Sequence, residues 1–426
     1  MTLGWLAIIR LGLVQMALGA IVVLTTSTLN RLMVVELSLA AVLPGLLVAL
    51  HYGIQITRPN WGFISDKGGN RTRWIVRGMF ILAAGGILAA LGVVQMETSY
   101  WFGLALSIVA YALIGLGAGA AGTSVLALLA TATAPHRRAA AATITWLMMI
   151  FGIAMTAGVV GQLIDPYSPA ILIKVVSGVA AVALAITFVA TWQIERGVEA
   201  EPEADPVPFR EGLAEVWAEP KARMFTIFVF LSMTAYFMQE LILEPYAGLV
   251  FGFTPGESTT LSGIQNGGVF LGMLTVGIAA TALRFGCLRN WVIGGCLGSA
   301  ASLCVIAMLG GYALPGTLLP AVFALGFFNG AFAVAAIGSM MALAGEGREK
   351  REGTRMGLWG AAQAIAAGFG GLTGAAAADV MRTITTDAPA FGAVFIFEAA
   401  LFLCAAFMAL RTMEGPVGRT ELIAGE

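Results

Sequence analysis

The chain has 426 residues, of which 11% are charged and 59% are apolar, and its mean hydropathy is +0.89. Soluble globular proteins carry about 25% charged residues, so this composition excludes a soluble protein of several domains. The formal net charge of −1 gives no support to a nucleic-acid partner. The composition indicates a polytopic α-helical membrane protein.

Twelve apolar runs of roughly 20 residues, the length that spans a bilayer, follow one another along the chain. They cover approximately residues 7–29, 33–56, 74–96, 101–131, 140–163, 170–192, 224–250, 259–283, 290–310, 316–343, 356–379 and 389–410. Glycine pairs four residues apart recur within them, among them Gly263/Gly267, Gly268/Gly272 and Gly370/Gly374. Such pairs predict close packing of helices. The sequence therefore predicts an all-α fold with twelve transmembrane helices.

Basic residues concentrate in alternate loops between these runs. Nineteen of the 23 fall on one side, whereas Arg31, Lys174 and Arg382 fall on the other and Arg10 lies within the first run. Because cytoplasmic loops carry the excess of lysine and arginine, both termini are predicted to be cytoplasmic.

Residues 194–223 are a strongly polar stretch with 12 charged residues, eight of them acidic. We predict a cytoplasmic linker here, with a short amphipathic helix that carries Phe209, Leu213, Val216 and Trp217. The linker separates a six-helix bundle over residues 1–193 from a second over 224–412, and residues 413–426 form a cytoplasmic tail. Two such halves are typical of the major facilitator fold.

The loop after the second run reads Gly62-Phe-Ile-Ser-Asp66-Lys67-Gly-Gly69-Asn-Arg71. It resembles the signature of the major facilitator superfamily, in which glycines form a tight turn and an acidic side chain caps or pairs with a neighbouring helix end. Asn70 departs from the basic residue expected there. We interpret Gly62, Asp66, Lys67, Gly69 and Arg71 as a gating motif, and an ordinary basic loop is the alternative.

Polar residues within the runs are few, and each is costly in hydrocarbon, so they are candidates for function. Glu240 and Glu244 lie four residues apart, on one face of the seventh helix. Pro245 cannot donate a backbone hydrogen bond and frees the carbonyl of Leu241. This pattern predicts a kinked helix with a binding site at the kink. A structural cap or an ion pair is the alternative.

Two further candidates are placed in the second predicted helix. Glu36 lies near its outer end, five residues after Arg31, so a structural ion pair is as good an interpretation as a ligand site. His51 lies toward its cytoplasmic end, where an imidazole could ligate the magnesium or iron of a macrocycle, or simply pack.

The sequence contains no recognisable motif of ATP-driven transport or of catalysis. There is no P-loop, no aspartate-rich pair for a magnesium diphosphate and no evident Ser-His-Asp set. We therefore expect no nucleotide cofactor and no enzymatic activity.

Three segments carry a family resemblance. They are Thr26-Ser-Thr-Leu-Asn30-Arg31-Leu-Met-Val-Val-Glu36-Leu, Leu241-Ile-Leu-Glu244-Pro245-Tyr246-Ala-Gly248 and Arg58-Pro-Asn-Trp-Gly62-Phe-Ile-Ser-Asp66. Together they resemble the bacteriochlorophyll delivery family of the major facilitator superfamily, the PucC/LhaA-like group of phototrophic bacteria. The resemblance implies a protein of the bacterial inner or intracytoplasmic photosynthetic membrane that handles bacteriochlorophyll.

In function, the resemblance implies a non-enzymatic protein that receives newly made pigment from bacteriochlorophyll synthase, the prenyltransferase that attaches its tail. The protein would shield the pigment and deliver it to light-harvesting or reaction-centre polypeptides, or it would serve as a non-catalytic subunit of the synthase. The alternative is a proton-coupled transporter of a small lipophilic solute, with Glu240, Glu244 and Glu36 as proton sites.

The candidate pigment-binding residues come from both lines of reasoning. The resemblance points to Asn30, Arg31, Glu36, Glu244, Pro245 and Tyr246, and the polar positions within the helices add Glu240 and His51. Our hypothesis from the sequence is that Glu244 or His51 ligates the magnesium of the pigment, directly or through water.

Overall fold

The computed structural model describes residues 3–57, 70–134, 137–196, 217–281, 283, 285–312, 315–345 and 352–413. Within these ranges the regular structure is entirely helical. Eleven helices are long and apolar enough to cross a membrane, and a twelfth is a shorter apolar helix of 13 residues. The predicted all-α fold of twelve helices is confirmed, and the protein is a multi-pass membrane protein.

The helices are numbered here in chain order. They are α1 (Trp5–Glu36), α2 (Val42–Ile54), α3 (Arg71–Met96), α4 (Tyr100–Ala132), α5 (Arg138–Leu163), α6 (Pro169–Thr191), α7 (Pro220–Phe251), α8 (Pro255–Thr281), α9 (Leu288–Gly310), α10 (Pro315–Gly345), α11 (Glu352–Arg382) and α12 (Asp387–Thr412). Most bounds lie within a few residues of the predicted ones.

The boundary between α1 and α2 is the exception. We predicted the second helix from residue 33, but α1 extends to Glu36, with a local break at Ser27 and a π-helical turn over Leu32–Glu36, and α2 starts at Val42. The prediction was wrong because no proline or glycine interrupts residues 27–36, so the chain becomes helical again from Thr28. The chain turns instead at Ser38, whose φ of 51° is left-handed.

Helix α7 is broken where the sequence predicted a kink. A 3₁₀ turn over Gln239–Leu241 separates its two parts, and Pro245 lies in the first turn of the second part. The Leu241 carbonyl, which the proline leaves without a helical donor, accepts a hydrogen bond from Asn30 Nδ2 at 2.8 Å. A side chain of α1 thus completes the backbone of α7.

Each half has its own hydrophobic core, and the halves meet where α5 packs against α8 and α2 against α11. Glycines make close helix contacts, as predicted, and both members do so in the pairs Gly268/Gly272 and Gly370/Gly374. A methyl group at Gly370 of α11 would lie 2.6 Å from the Thr234 carbonyl oxygen of α7, and one at Gly263 would lie 2.8 Å from the Gly158 nitrogen. Gly267 faces open space instead.

Several predictions fall where the chain is not described. Gly62, Asp66, Lys67 and Gly69 of the gating motif lie outside the described residues, as do Phe209, Leu213 and Val216 of the predicted amphipathic helix. The cytoplasmic location of the termini and the domain boundaries stay predictions.

Candidate functional site

The predicted site residues of α1 and α7 come together where the two halves meet. The end of α1 contacts the second part of α7 and the beginning of α8. The connections α1–α2, α5–α6, α7–α8 and α11–α12 all lie at this end of the bundle, which we call the joined end. The basic-residue distribution predicts that it faces away from the cytoplasm.

Arg31 is a buried cation at the joined end. Its side chain is 2% exposed, whereas we had placed it in an exposed loop. Nη1 pairs with Glu36 Oε1 at 2.5 Å, and Nη2 donates to the Phe253 carbonyl at 2.6 Å. Glu36, which lies at the end of α1 rather than in α2, is 39% exposed. Arg31 therefore joins α1 to the α7–α8 connection, and its ion pair matches the structural interpretation of Glu36.

Glu244 lies one turn beyond the break in α7 and is 3% exposed. Its Oε1 accepts a hydrogen bond from the Ser27 hydroxyl of α1, and the Arg31 charge is nearby. Burial of a carboxyl group is costly unless such partners are present. Oε1 therefore joins the two halves, whereas Oε2 is buried without a hydrogen-bond partner among the described residues.

Tyr246 points away from this contact, into the core of the C-terminal half. Its hydroxyl donates to the Ile306 carbonyl of α9 at 2.7 Å, and its ring packs against Phe391 and Phe395 of α12, with centroids 5.7 and 5.1 Å away. The geometry is that of a packing residue.

Glu240 is the less buried of the two carboxyl groups of this segment. It is half-buried, one turn before Glu244, and its carboxyl is within hydrogen-bonding reach of the Thr26 hydroxyl. Tyr236 lies one turn earlier on the same face. Glu240 is thus a carboxyl group at the contact between the halves that is less buried than Glu244.

His51 is not part of this cluster. It lies nine residues into α2, about 13 Å along the helix from its start. The ring is 2% exposed, its Nε2 is 2.9 Å from Gln55 Nε2, and it packs edge-on against Tyr52. Tyr52 in turn contacts Phe237 of α7, with ring centroids 6.0 Å apart.

Two aspartates that the sequence reasoning missed hold the halves together at the joined end. Asp379, in the last turn of α11, accepts hydrogen bonds from the Ala41 and Val42 nitrogens at 3.0 and 2.7 Å. This carboxylate caps α2, whose own N-cap residue is an alanine without a capping side chain. An uncapped helix start was the signal in the sequence that could have prompted a search for a distant partner.

Asp165 makes the equivalent contact in the opposite direction. It follows α5 in the N-terminal half, and its carboxylate accepts from the Gly256 nitrogen at 3.1 Å and from the Thr254 hydroxyl at 2.5 Å, at the start of α8. Each half thus supplies a carboxylate to a helix start of the other half. Together with the bonds of Ser27, Asn30 and Arg31, they close the joined end.

Among the described residues, no group of three histidine, cysteine or carboxylate side chains could hold a metal ion. The oxygen atoms at the site that could contact a metal instead belong to single carboxylates.

The family model described as PUCC protein matches residues 28–416, which include the end of α1, the break in α7 and both aspartates. The chain belongs to this family. A relative in Rhodobacter capsulatus, the "Bacteriochlorophyll synthase 44.5 kDa chain", is 66% identical over 430 residues that cover all of both chains. "Protein PucC" of Cereibacter sphaeroides is 29% identical and covers 93% of this chain and 90% of that protein.

The fold of this PUCC family member also matches solved transporters. A crystal structure of a mutant of the nucleoside transporter NupG superposes with a TM-score of 0.67 and 16% identity, and covers 96% of this chain and 100% of NupG. This likeness shows the major facilitator fold and nothing about the solute.

Proposed function

We propose that this PUCC family protein is a non-enzymatic carrier of bacteriochlorophyll. It receives newly made pigment from bacteriochlorophyll synthase, shields it within the membrane and delivers it to light-harvesting or reaction-centre polypeptides. The observation that carries the proposal is the full-length relative with 66% identity, whose name associates it with that synthase. A carrier that stays bound to the synthase would also be a non-catalytic subunit of it, so the two roles overlap.

The structure supports a carrier rather than a catalyst. Several polar side chains of the site, such as Ser27, Asn30 and Arg31, are used in hydrogen bonds between the two halves. Polar groups that join two bodies serve a conformational role, as expected for a protein that alternately holds and releases cargo. The major facilitator fold is itself built for such motion.

Glu240 is our candidate for the contact with the magnesium of the pigment, directly or through water. A ligand must present an accessible oxygen or nitrogen atom to the metal. Glu244 and His51, named by the sequence hypothesis, are only 3% and 2% exposed, whereas Glu240 is half-buried. Carboxylate oxygen is a hard donor of the kind that magnesium prefers.

The test is purification of the full chain in mild detergent from a membrane that makes the pigment, followed by an absorption spectrum. We expect a near-infrared bacteriochlorin band, and co-purification of the prenyltransferase. In Glu240→Gln the pigment per protein should fall about tenfold, since loss of roughly 1.4 kcal/mol of binding free energy has that effect. Glu257→Gln, which removes an exposed carboxylate at the start of α8, is the matched control.

Equal pigment content in Glu240→Gln and Glu257→Gln would remove Glu240 from the site. A protein that never carries pigment, in any preparation, would contradict the carrier function itself.

A proton-coupled transporter of a small lipophilic solute is the second candidate. It is favoured by the fold shared with NupG and by the position of Glu240, a carboxyl group at the contact between the halves. A colourless protein whose solute uptake into vesicles follows the proton gradient, and stops in Glu240→Gln, would select it.

A further inference from the structure

A basic cavity lies at the opposite end of the N-terminal half, where α3 begins and α6 ends side by side. Its volume is about 630 Å³, and Arg73, Arg77 and Arg196 are among its lining residues. All three are exposed. Three arginines thus line one concave site.

The carboxylate in the cavity wall offsets only part of this charge, because it is one negative group against three positive ones. Glu195 Oε1 accepts from the Arg71 nitrogen at 2.9 Å, and Oε2 accepts from the Thr72 nitrogen at 3.1 Å. Both oxygens are therefore used to cap α3.

The guanidinium groups have only neutral partners among the described residues. Arg196 Nη1 lies 3.2 Å from Gln193 Oε1, and Arg77 stacks over the Trp74 ring at 5.4 Å. The ion pairs found in the described part of the chain involve other arginines. The cavity is left electropositive, with donors available for an anion.

A second cavity, apolar in character, adjoins the first around the end of α6. It has a volume of about 810 Å³ and is lined by Phe188, Val189, Trp192, Gln193 and Arg10. Trp192 is 70% exposed, as is typical of tryptophan at a membrane interface. Gln193 lines both cavities, so a polar and an apolar compartment lie side by side at this level.

We propose that the two cavities together bind one anionic phospholipid, with its phosphate headgroup among the three arginines and an acyl chain along Phe188 and Val189. Arginine presents planar donors that match phosphate oxygens and form charge-assisted hydrogen bonds. Basic pockets between helix ends on the cytoplasmic side are suited to anionic headgroups, and this end is the predicted cytoplasmic side. The lipid would bridge α3 and α6 and so fix the start of α3.

The test compares lipid retention by the full chain in native mass spectrometry. Delipidated protein is incubated with phosphatidylglycerol or with phosphatidylcholine of identical acyl chains. We expect selective retention of phosphatidylglycerol, and about thirtyfold weaker retention in the double variant Arg73→Gln/Arg77→Gln. Inorganic phosphate at millimolar concentration should not displace the lipid, because the apolar cavity holds the chain.

Arg411→Gln is the matched control. Arg411 also lies at a helix end and stacks over an aromatic ring, Phe407 at 4.3 Å, but it belongs to α12 and lies outside both cavities. Its phosphatidylglycerol retention should equal that of the unaltered protein, and all variants should have the same helical circular dichroism.

Three results would overturn the proposal. They are undiminished retention in the double variant, an equal loss in Arg411→Gln, and equal retention of the two lipids by the unaltered protein. Displacement by inorganic phosphate would assign the basic cavity to a free anion instead.

Discussion

Removal of the two aspartates of the joined end should open it. Asp165 and Asp379 each accept two hydrogen bonds at a helix start of the opposite half, at 2.5–3.1 Å. Loss of a helix cap costs about 1 kcal/mol, and loss of a charge that favours the helix dipole adds about 0.3–1 kcal/mol. Alanine at either position should therefore destabilise the closed arrangement by roughly 1–2 kcal/mol.

The two effects should add, since the aspartates act at different interfaces and share no partner. Asp165 holds α8 and Asp379 holds α2. The double variant should lose roughly 2–4 kcal/mol, which shifts the ratio of closed to open protein by about 30- to 1000-fold.

The assay is the rate at which a maleimide labels a single cysteine at position 28. Thr28 is 1% exposed, and its hydroxyl lies 3.2 Å from that of Thr259 in the other half, so the thiol becomes accessible only when the halves separate. The four natural cysteines, Cys287, Cys296, Cys304 and Cys404, are first replaced by serine or alanine. Labelling in Asp165→Ala/Asp379→Ala should be faster by at least an order of magnitude.

Asp387→Ala is the control for this experiment. Asp387 accepts from Arg382 Nε at 2.7 Å, but both residues belong to the C-terminal half. Its removal deletes a carboxylate at the same end without releasing a bond between the halves. If the double variant labels no faster than this control, the aspartates do not hold the joined end and the reasoning fails.

Two further substitutions test packing. Gly117→Val would place the valine Cβ 2.7 Å from the Gly78 carbonyl oxygen, so the free energy of unfolding should fall by about 1–3 kcal/mol or more in thermal denaturation. Gly178→Val should be tolerated, because Gly178 faces open space. Tyr246→Phe loses the bond to Ile306 and about 1 kcal/mol, with no change in pigment content; a fall in pigment at unchanged stability would instead give Tyr246 a ligand role.

The sequence predicted well what depends on local pattern. The apolar runs predicted eleven helices, and most of the helix ends were correct to within a few residues. Pro245 predicted both the break in α7 and the free carbonyl of Leu241. It could not identify Asn30 as the donor to that carbonyl, because 211 residues separate the two. Local chemistry shows that a partner is needed, and only the fold shows which one it is.

The errors have the same origin. Arg31 looked like a loop residue because a charge at the end of an apolar run normally marks the membrane boundary. In the structure it is buried because Glu36 and the Phe253 carbonyl pair with its two terminal nitrogens, and the second of these partners comes from the other half. Asp165 and Asp379 escaped notice for the same reason, since their partners are backbone nitrogens of distant helices.

The hydrogen bond from Asn30 to the Leu241 carbonyl makes the break in α7 dependent on a neighbour. If the halves separated at this end, the carbonyl would need water, cargo or a straighter α7 to take over from the amide. Rocking of the halves and straightening of α7 are thereby linked into one movement, because the Asn30 amide stabilises the break only while the halves are in contact. The C-terminal bundle is consequently incomplete by itself, because one of its helices is finished by a side chain from the other bundle.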